Sequence, residues 1–302
     1  ADLVPAPSTV IKWYTVAIGG TSLTNATALT TGTYYVSEIN LNGCESERTA
    51  VAVMMNIPAT HLNFDGANDV VNLGNNLTTY FTGKNTVTLE AWVKPLTNAG
   101  LGVIIGNYTY PSNNGQMQML LRRDGTTYNF FIDNGSGFTS VGTAANSVVL
   151  NTWQHVSGTW DGTTMRIYIN GALINSASRT GSFPLRTNSF ALGSNSVSEA
   201  FKGDIDEVRI WDVARTAQQI SASRNCELQG NEAGLKAYYK FNQGVGGSDN
   251  SAISSLMDAT SGANNGTLIN FAKNGSTSNF LSGSPIVNGV TVPNAPTALA
   301  QS

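Results

Sequence analysis

Charged side chains are scarce in this chain of 302 residues. They make up 12% of the sequence, against roughly 25% in an average globular domain. Sixteen Lys and Arg residues against 19 Asp and Glu residues leave a net charge of −3, with no run of one sign. A nucleic-acid-binding surface needs a basic face, because contacts to phosphates dominate the affinity. The sequence therefore predicts no nucleic-acid partner.

Cysteine, histidine and long apolar runs are rare as well. The two cysteines, Cys44 and Cys226, are far apart and are interpreted as unreactive thiols or as one disulfide. His61 and His155 are the only histidines, too few for a clustered thiolate–imidazole metal site. Neither lies in a nucleophile motif, so little is available for acid–base or covalent catalysis. No segment approaches the ~20 apolar residues of a membrane span, and membrane insertion is not predicted.

The sequence is instead rich in Gly, Asn, Ser and Thr, placed between short hydrophobic segments. Asn and Gly tolerate the positive φ of tight turns, and Thr favours extended backbone. Strands without intervening helices predict an antiparallel sandwich. The predicted strands are residues 61–64, 70–73, 87–94, 116–122, 128–132, 154–160, 165–169, 190–192, 205–211 and 267–271.

One helix is predicted, at residues 216–224. Thr216 followed three positions later by Gln219 has the spacing of a capping box, in which each side chain bonds the backbone of the other residue. Beyond this helix, hydrophobic residues from Leu235 to Phe241 alternate with polar ones, which is typical of a half-buried strand.

Three segments are expected along the chain. Residues 1–57 are predicted to form a small β domain, with a hairpin signal at Asn42-Gly43. Pro58 marks a boundary, because proline ends a strand ladder. Residues 58–287 would form the sandwich. Residues 288–302, with two prolines, are typical of a linker or the start of a further module.

The first segment resembles a known repeat. The similarity rests on Trp13-Tyr14, residues 29–37, Gly43-Cys44-Glu45-Ser46 and residues 48–51. This pattern resembles the Ig-like repeats of very long surface adhesins in Bacteroidota-type bacteria. The resemblance implies an extracellular, cell-surface location and a chain cut inside a repeat, so that Cys44 lacks its usual partner.

Four blocks of the second segment carry another resemblance: residues 62–71, 88–94, 153–171 and 201–211. In this order they resemble a laminin-G-like domain of the concanavalin A-like lectin/glucanase superfamily. The resemblance implies an all-β, two-sheet antiparallel jelly roll. Two blocks that precede these in many relatives correspond here to residues 239–244 and 258–266, which follow them. A circularly permuted domain is therefore expected.

Three carboxylates are candidate calcium ligands: Asp65, Asp69 and Asp206 lie at the strand ends of these blocks. Calcium takes six to eight oxygen ligands from carboxylates and carbonyls. The alternative is that Asp65 and Asp69 make turn hydrogen bonds, and that Asp206 bonds a neighbouring backbone group. Both interpretations stay open, with calcium as the possible cofactor.

A glycosidase is the less favoured interpretation. Residues 204–208 resemble the glucanase pattern Glu-x-Asp-x-Glu. However, Asp204 replaces the first Glu of that pattern, and Val208 replaces the last. Retaining hydrolysis needs two carboxylates about 5 Å apart, and Glu207 is expected to point away from Asp206. No enzymatic activity is predicted.

Aromatic and amide side chains are the candidate sugar contacts, since aromatic rings stack on pyranoses and amides bond hydroxyl groups. The candidates are Tyr108, Tyr110, Asn113, Asn114, Arg122, Tyr128 and Asn195. Trp92, Trp153, Trp160 and Trp211 are predicted to be core residues. Together with the resemblances, these residues predict a calcium-dependent module, monomeric within a longer adhesin, that binds surface polysaccharides or glycoprotein glycans. A protein-binding or spacer module is the alternative.

Overall fold

The chain forms two compact units, Ala1–Ile57 and Pro58–Ser302. The computed structural model describes residues 10–24, 32–41, 43–53, 58–108, 117–194 and 199–287. The expected linker at residues 288–302 lies outside the described residues. No helix in the described part of the chain is long and apolar enough to cross a membrane.

The N-terminal unit is a three-stranded antiparallel sheet in the order β1-β2-β3. Its strands are β1 (Val10–Tyr14), β2 (Gly32–Ile39) and β3 (Thr49–Val53). Tyr14 and Tyr34 are its buried aromatic side chains, and the Arg48 guanidinium lies 3.2 Å from the ring centre of Tyr14. The ring and the cation attract each other, so this pair stabilises the small sheet.

The second unit contains sixteen strands and two short helices among its described residues. In chain order they are β4 (Pro58–Asp65), β5 (Val70–Asn72), α1 (Asn76–Phe81), β6 (Val87–Pro95), β7 (Leu101–Gly106), β8 (Met119–Asp124), β9 (Thr127–Asp133), β10 (Phe138–Gly142), β11 (Gln154–Trp160), β12 (Thr164–Ile169), β13 (Ala172–Ser178), β14 (Ala191–Leu192), β15 (Lys202–Trp211), α2 (Ala217–Ser223), β16 (Leu235–Tyr239), β17 (Ser255–Leu256), β18 (Gly266–Ile269) and β19 (Phe280–Val287).

These strands form two antiparallel sheets. The front sheet has the order β10-β9-β8-β7-β14-β5-β18-β17. The back sheet has the order β13-β12-β11-β6-β15-β4-β19, and β16 also pairs with β15. The all-β jelly-roll sandwich predicted from the sequence is confirmed. The last strands lie beside the first ones of the domain, with β18 next to β5 and β19 next to β4, which is the placement that a permuted order requires.

The main core lies between the two sheets and is built by alternation along each strand. In β6, Leu89, Ala91 and Val93 are fully buried, and in β8 Met119 and Leu121 are fully buried. Complete burial of one such Leu, Val or Met side chain stabilises a fold by about 1.5–3 kcal/mol. The core therefore fixes which face of β8 turns outward.

Three of the four tryptophans predicted for the core are buried: Trp92, Trp160 and Trp211. Trp153 is only partly buried, and its indole N–H donates to the Gly283 carbonyl at 3.1 Å. Its prediction as a core residue is wrong, because it lies just before β11 begins rather than inside the strand.

The predicted helix is present as α2 with its capping box. The Gln219 N–H donates to the Thr216 hydroxyl at 3.2 Å, and the Thr216 N–H donates to the Gln219 side-chain carbonyl at 2.9 Å. The second helix, α1, was not expected from the sequence. It has six residues and no side-chain hydrogen bond at its N-cap residue, Asn75, so it lacks the usual start signal.

Candidate functional site

The outward face of β8 and β9 is fixed by the hairpin between them. Asp124 pairs with Thr127 across a two-residue turn, so Arg122 pairs with Asn129 and Leu120 pairs with Phe131. Because successive side chains point to opposite faces of a sheet, Leu120, Arg122 and Phe131 share the face that looks away from the main core.

This face carries a cleft with a volume of about 270 Å³. Strands β7 to β10, and the segments that adjoin them, supply its walls. Its described lining residues are Leu101, Tyr108, Met117, Leu120, Arg122, Phe131, Phe138 and Glu199. Most of these side chains are apolar, so a ligand in the cleft meets a largely hydrophobic surface with one charged pair in it.

A small apolar cluster, separate from the main core, forms the floor of this cleft. Val103, Met117, Leu120 and Phe131 are each less than a tenth exposed, and Tyr108 packs against them. Phe138 stands above this floor with 63% of its surface exposed. Its ring meets Phe131 edge to face, with 5.9 Å between the ring centres. An aromatic ring is thus exposed to solvent beside a buried apolar cluster.

Arg122 is the one cation among the described residues that line the cleft. Its guanidinium donates to both carboxylate oxygens of Asp124, with 2.9 Å between Nη2 and Oδ2. Nη1 also donates to Glu199, at 3.3 Å from Oε1 and 3.4 Å from Oε2. Burial opposes the charge of Arg122, but the hydrogen bonds and negative charges of the two acids raise its pKa above the usual value.

Glu199 is held in place by its backbone as well as by its side chain. Its carbonyl accepts the Val103 N–H at 3.0 Å, which ties this segment to β7. Its carboxylate is only 5% exposed. An ionised carboxylate this deeply buried needs a charged partner, and Arg122 supplies it. The ion pair is therefore a fixed, buried part of the cleft wall rather than a surface contact.

The structure brings two of the predicted sugar-contact residues together, because Tyr108 and Arg122 both line the cleft. Tyr110, Asn113, Asn114 and Asn195 lie outside the described residues, so their predicted roles stay predictions.

The prediction for Tyr128 is wrong. This side chain is fully buried in the main core, and its hydroxyl lies 3.0 Å from the Gln154 side-chain oxygen. Tyr128 pairs with Arg123, not with Arg122, so it points to the opposite face. Its burial raises its pKa above the usual value.

Sequence reasoning missed the other described lining residues: Leu101, Met117, Leu120, Phe131, Phe138 and Glu199. A signal for two of them was present, because the turn at Asp124-Gly125 fixes the pairing of the two strands. With Arg122 facing outward, that pairing places Leu120 and Phe131 on the same face. Glu199 carried no such signal, since it follows a strand that is distant in sequence.

Two of the predicted calcium ligands, Asp65 and Asp69, do lie close together. The Asp65 N–H donates to Asp69 Oδ2 at 2.9 Å, and Asp65 Oδ1 accepts the Ala67 N–H at 2.7 Å. The other Asp69 oxygen accepts the Ser278 hydroxyl at 2.8 Å. Burial raises the pKa of Asp69 from 3.8 to about 6. These contacts are those of a turn that joins β4, β5 and the segment before β19.

Asp206 lies elsewhere. Asp65 pairs with Lys202 of β15, whereas Asp206 pairs with Trp92. Asp206 comes four residues after Lys202, which places it roughly 13 Å further along the strand. Asp206 is fully buried, and its oxygens accept the Glu207 N–H and the Ser284 hydroxyl. Burial, together with the neighbouring Glu207 carboxylate, raises its pKa.

The predicted set of three carboxylates therefore does not fit calcium. The ion needs oxygens that converge and are free to bind it, but Asp206 is separated from Asp65 and Asp69, and all three acids already accept hydrogen bonds within the protein. Across the ranges that the structure describes, no three His, Cys, Asp or Glu side chains converge as metal ligands would. The alternative interpretation, of turn and backbone hydrogen bonds, describes Asp65, Asp69 and Asp206.

The acids of the glucanase-like pattern are buried too. Asp204 binds the Asn63 amide at 2.6 Å and the Lys94 ammonium at 3.1 Å. Glu207 accepts Arg209 and the Tyr238 hydroxyl, each at 2.6 Å. Glu207 also has a φ of +50°, at a β-bulge that interrupts the alternation after Asp206. None of these acids lines the cleft.

The two histidines are similarly placed inside the fold. His61 Nε2 lies 3.4 Å from an Asp204 oxygen, and His155 Nε2 lies 3.6 Å from a Glu90 oxygen. Burial lowers the pKa of His155 to about 3. Both rings are at most 3% exposed, so neither is positioned to exchange protons with a ligand in the cleft.

Comparison with known proteins assigns both units. A family model described as the concanavalin A-like lectin/glucanases superfamily matches residues 65–221, which is more than half of the chain. An Ig-like domain described as CHU_C associated matches residues 3–56. Mouse Pappalysin-1 is 34% identical over 82 residues, which are 26% of this chain and 5% of that protein. The chain thus spans a small part of that relative.

The comparison also finds similar solved structures. A "putative carbohydrate binding protein" from Bacteroides ovatus ATCC 8483 has a TM-score of 0.55 at 21% identity, covering 78% of this chain and 66% of that one. A heptameric SAP-like pentraxin from Limulus polyphemus has a TM-score of 0.42 at 18% identity, covering 56% of this chain and 82% of that one. On the match over residues 65–221, the chain belongs to the concanavalin A-like lectin/glucanases superfamily through a laminin-G-like domain.

Proposed function

We propose that this chain is a non-catalytic glycan-binding module, and that the cleft on the front sheet holds the glycan. The observation that carries the proposal is the exposed Phe138 ring beside the Arg122–Glu199 pair, above a rigid apolar floor. Binding sites for small ligands combine apolar and aromatic walls with a few fixed polar groups. The name of the Bacteroides ovatus protein describes that protein alone, but it agrees with this proposal.

The chemistry of a sugar ring matches these walls. A pyranose has an apolar face of C–H groups, which packs on aromatic rings such as Phe138 and Tyr108. Its hydroxyl groups can accept hydrogen bonds from the guanidinium of Arg122 and donate them to the carboxylate of Glu199. The cleft offers these surfaces side by side.

Catalysis is not part of the proposal. A retaining glycosidase needs one carboxylate as nucleophile and a second one that donates a proton. Glu199 lines the cleft and Asp124 lies next to Arg122, but both accept hydrogen bonds from Arg122. A carboxylate whose oxygens face a guanidinium is not placed to protonate a glycosidic oxygen. The acids of the glucanase-like pattern are buried elsewhere.

The setting we propose is a secreted, surface-anchored bacterial adhesin that attaches through surface polysaccharides or glycoprotein glycans. The support is the Ig-like, CHU_C-associated domain at residues 3–56, directly before the lectin-like unit. In this proposal the N-terminal unit is a spacer within a longer extracellular chain.

A protein ligand is the second candidate, because the cleft is mainly apolar and Phe138 is 63% exposed. Exposed apolar surface beside a pocket also suits a hydrophobic side chain of a partner protein. In that case the module would bind no glycan, and Phe138 would anchor the protein interface.

A glycan array with the whole chain tests the proposal. We expect binding that falls at least about tenfold in Phe138→Ala, because an aromatic contact is lost. Val245→Ala is the matched control, since Val245 is 66% exposed and does not line the cleft. Binding to no glycan, or binding that Phe138→Ala leaves unchanged, would contradict it. Running the array with calcium and with EDTA tests the calcium dependence, which stays a prediction.

A further inference from the structure

We propose, building on the glycan-binding function above, that the cleft selects uncharged glycans bearing a methyl-containing group, such as an N-acetyl or 6-deoxy substituent. Two features carry this inference: the charge of Arg122 is already balanced, and the floor beneath it is apolar.

The charge balance disfavours an acidic sugar. Arg122 faces two carboxylates, Asp124 and Glu199, so the three groups together carry a net charge of −1. The Arg122 guanidinium donates four hydrogen bonds to these two acids, three of them at 3.3 Å or less. A uronate, sialate or sulfate would have to compete with both acids for the guanidinium. Like charges at close range cost affinity, so an anionic ligand is repelled.

The neighbouring sequence does not reverse this balance. Residues 109–116 and 195–198 adjoin the cleft residues Tyr108, Met117 and Glu199 along the chain, and neither segment contains Lys, Arg, His, Asp or Glu. Their polar side chains are hydroxyl and amide groups instead. Whatever position they take, they add no cation with which an acidic sugar could pair.

The floor supplies the preference for a methyl group. Met117 and Leu120 are 7% and 2% exposed, and both line the cleft beside Phe131. A hydroxyl group placed against such a surface loses its hydrogen bonds to water without replacement. A methyl group loses nothing and buries apolar area, which favours it by about fourfold in affinity for each methyl. The cleft volume of about 270 Å³ suits one substituted sugar unit.

The test is a glycan array that contains matched pairs: N-acetylated and free hexoses, 6-deoxy and 6-hydroxy sugars, and uncharged glycans with their uronate or sulfated counterparts. We expect the bound glycans to be uncharged, and each acetylated or deoxy member to bind at least about fourfold more tightly than its partner. Tighter binding of the acidic members, or no preference for the methyl-bearing members, would overturn the inference while leaving glycan binding intact. Binding to no glycan would refute the proposed function, and this inference with it.

Variants separate the two features, each with its melting temperature measured alongside. Met117→Gln should remove the preference for acetylated or deoxy sugars, whereas Phe138→Ala should weaken both members of a pair equally. Glu199→Gln and Asp124→Asn each leave Arg122 one negative partner fewer, so each should raise the affinity for a uronate glycan on the order of tenfold. The two replacements differ in burial, so misfolding of the Glu199 variant would leave the Asp124 variant to decide. Unchanged uronate affinity in a folded variant would contradict the role of the charge balance.

Discussion

The guanidinium of Arg122 lies 4.8 Å from the ring centre of Phe131, on the outward face of the front sheet. A cation over an aromatic face is attracted by the ring's negative charge density. Arg122 therefore contacts the apolar floor through Phe131 and also binds two carboxylates. This arrangement fixes both the shape and the charge of the cleft, so one residue links the stability of this face to its ligand preference.

Removing Arg122 should destabilise the fold through Glu199. In Arg122→Met the carboxylate of Glu199, only 5% exposed, keeps its burial but loses its charged partner. We expect the free energy of unfolding to fall by about 1.5–3 kcal/mol, the usual contribution of a hydrogen bond to a charged group. Urea unfolding measures this. The double variant Arg122→Met/Glu199→Gln should recover part of the loss, and a loss as large as in the single variant would contradict the explanation.

Calcium should not act through Asp65 or Asp206. Their oxygens accept hydrogen bonds from the Ala67 and Glu207 N–H groups and from Ser284, so calcium would have to displace these donors. We expect any difference in melting temperature between calcium and EDTA to be the same in Asp65→Asn, Asp206→Asn and the unchanged chain. A calcium response that disappears in both variants would restore the three-carboxylate site predicted from the sequence.

Asp69 should make stability depend on pH. Its pKa in the folded state, about 6, lies above its ordinary value of 3.8 because the carboxyl group is buried. The folded state then binds more protons between these values, so the stabilisation is fully present below about pH 4 and is lost as the pH rises through 6. Asp69→Asn cannot titrate but keeps an oxygen for the Asp65 N–H.

The measurement for Asp69 is urea unfolding of both proteins from pH 4 to pH 7. As the pH rises from 4 to 7, the unchanged chain should lose unfolding free energy relative to Asp69→Asn. Subtracting the two curves removes the contributions of other buried acids, such as Asp206 and Glu207. A difference that stays constant over this range would show that Asp69 has an ordinary pKa.

Features that depend on local sequence patterns could be predicted. Alternating hydrophobic residues and turn pairs such as Asp124-Gly125 are short-range features, so the sandwich and the capping box of α2 could be predicted and are confirmed. Tyr108 could be chosen because aromatic and amide residues crowd one part of the chain, and Arg122 because a side chain on a predicted strand can face outward from a sheet. Tyr128 could not be rejected by composition, since only the strand register shows which face it takes.

Long-range features escaped prediction for a different reason. The distance between Asp65 and Asp206 depends on the register of β15 against β4. The burial of Glu207 depends on a bulge whose positive φ has no signal in the residue type, because Glu rarely adopts it. Glu199 lies near Arg122 because its carbonyl accepts the N–H of Val103, a residue of the neighbouring strand β7. Such contacts arise from tertiary packing and leave no periodic pattern in the sequence.

Gly193 should tolerate no side chain. It has a φ of +79°, and an added Cβ would overlap the ring of Phe64, which is fully buried. Its backbone also joins β7 to the start of β15, because its N–H donates to the Ile104 carbonyl and its carbonyl accepts the Phe201 N–H. Gly193→Ala should therefore displace Phe64 and the segment that carries Glu199. We expect a loss of unfolding free energy of about 2–4 kcal/mol, which adds an overpacked core to the strain of a positive φ.

Gly247→Ala is the matched control for Gly193→Ala. Gly247 has a similar φ of +71°, but no atom lies within 4 Å of the added Cβ. It should lose only about 1 kcal/mol, from the strained backbone alone. The difference between the two variants, measured by urea unfolding, isolates the steric overlap with Phe64 from the cost of a positive φ. Since the same overlap moves the Glu199 segment, Gly193→Ala should also weaken glycan binding, whereas Gly247→Ala should not. Equal losses of stability in the two variants would show that Phe64 does not press against this turn.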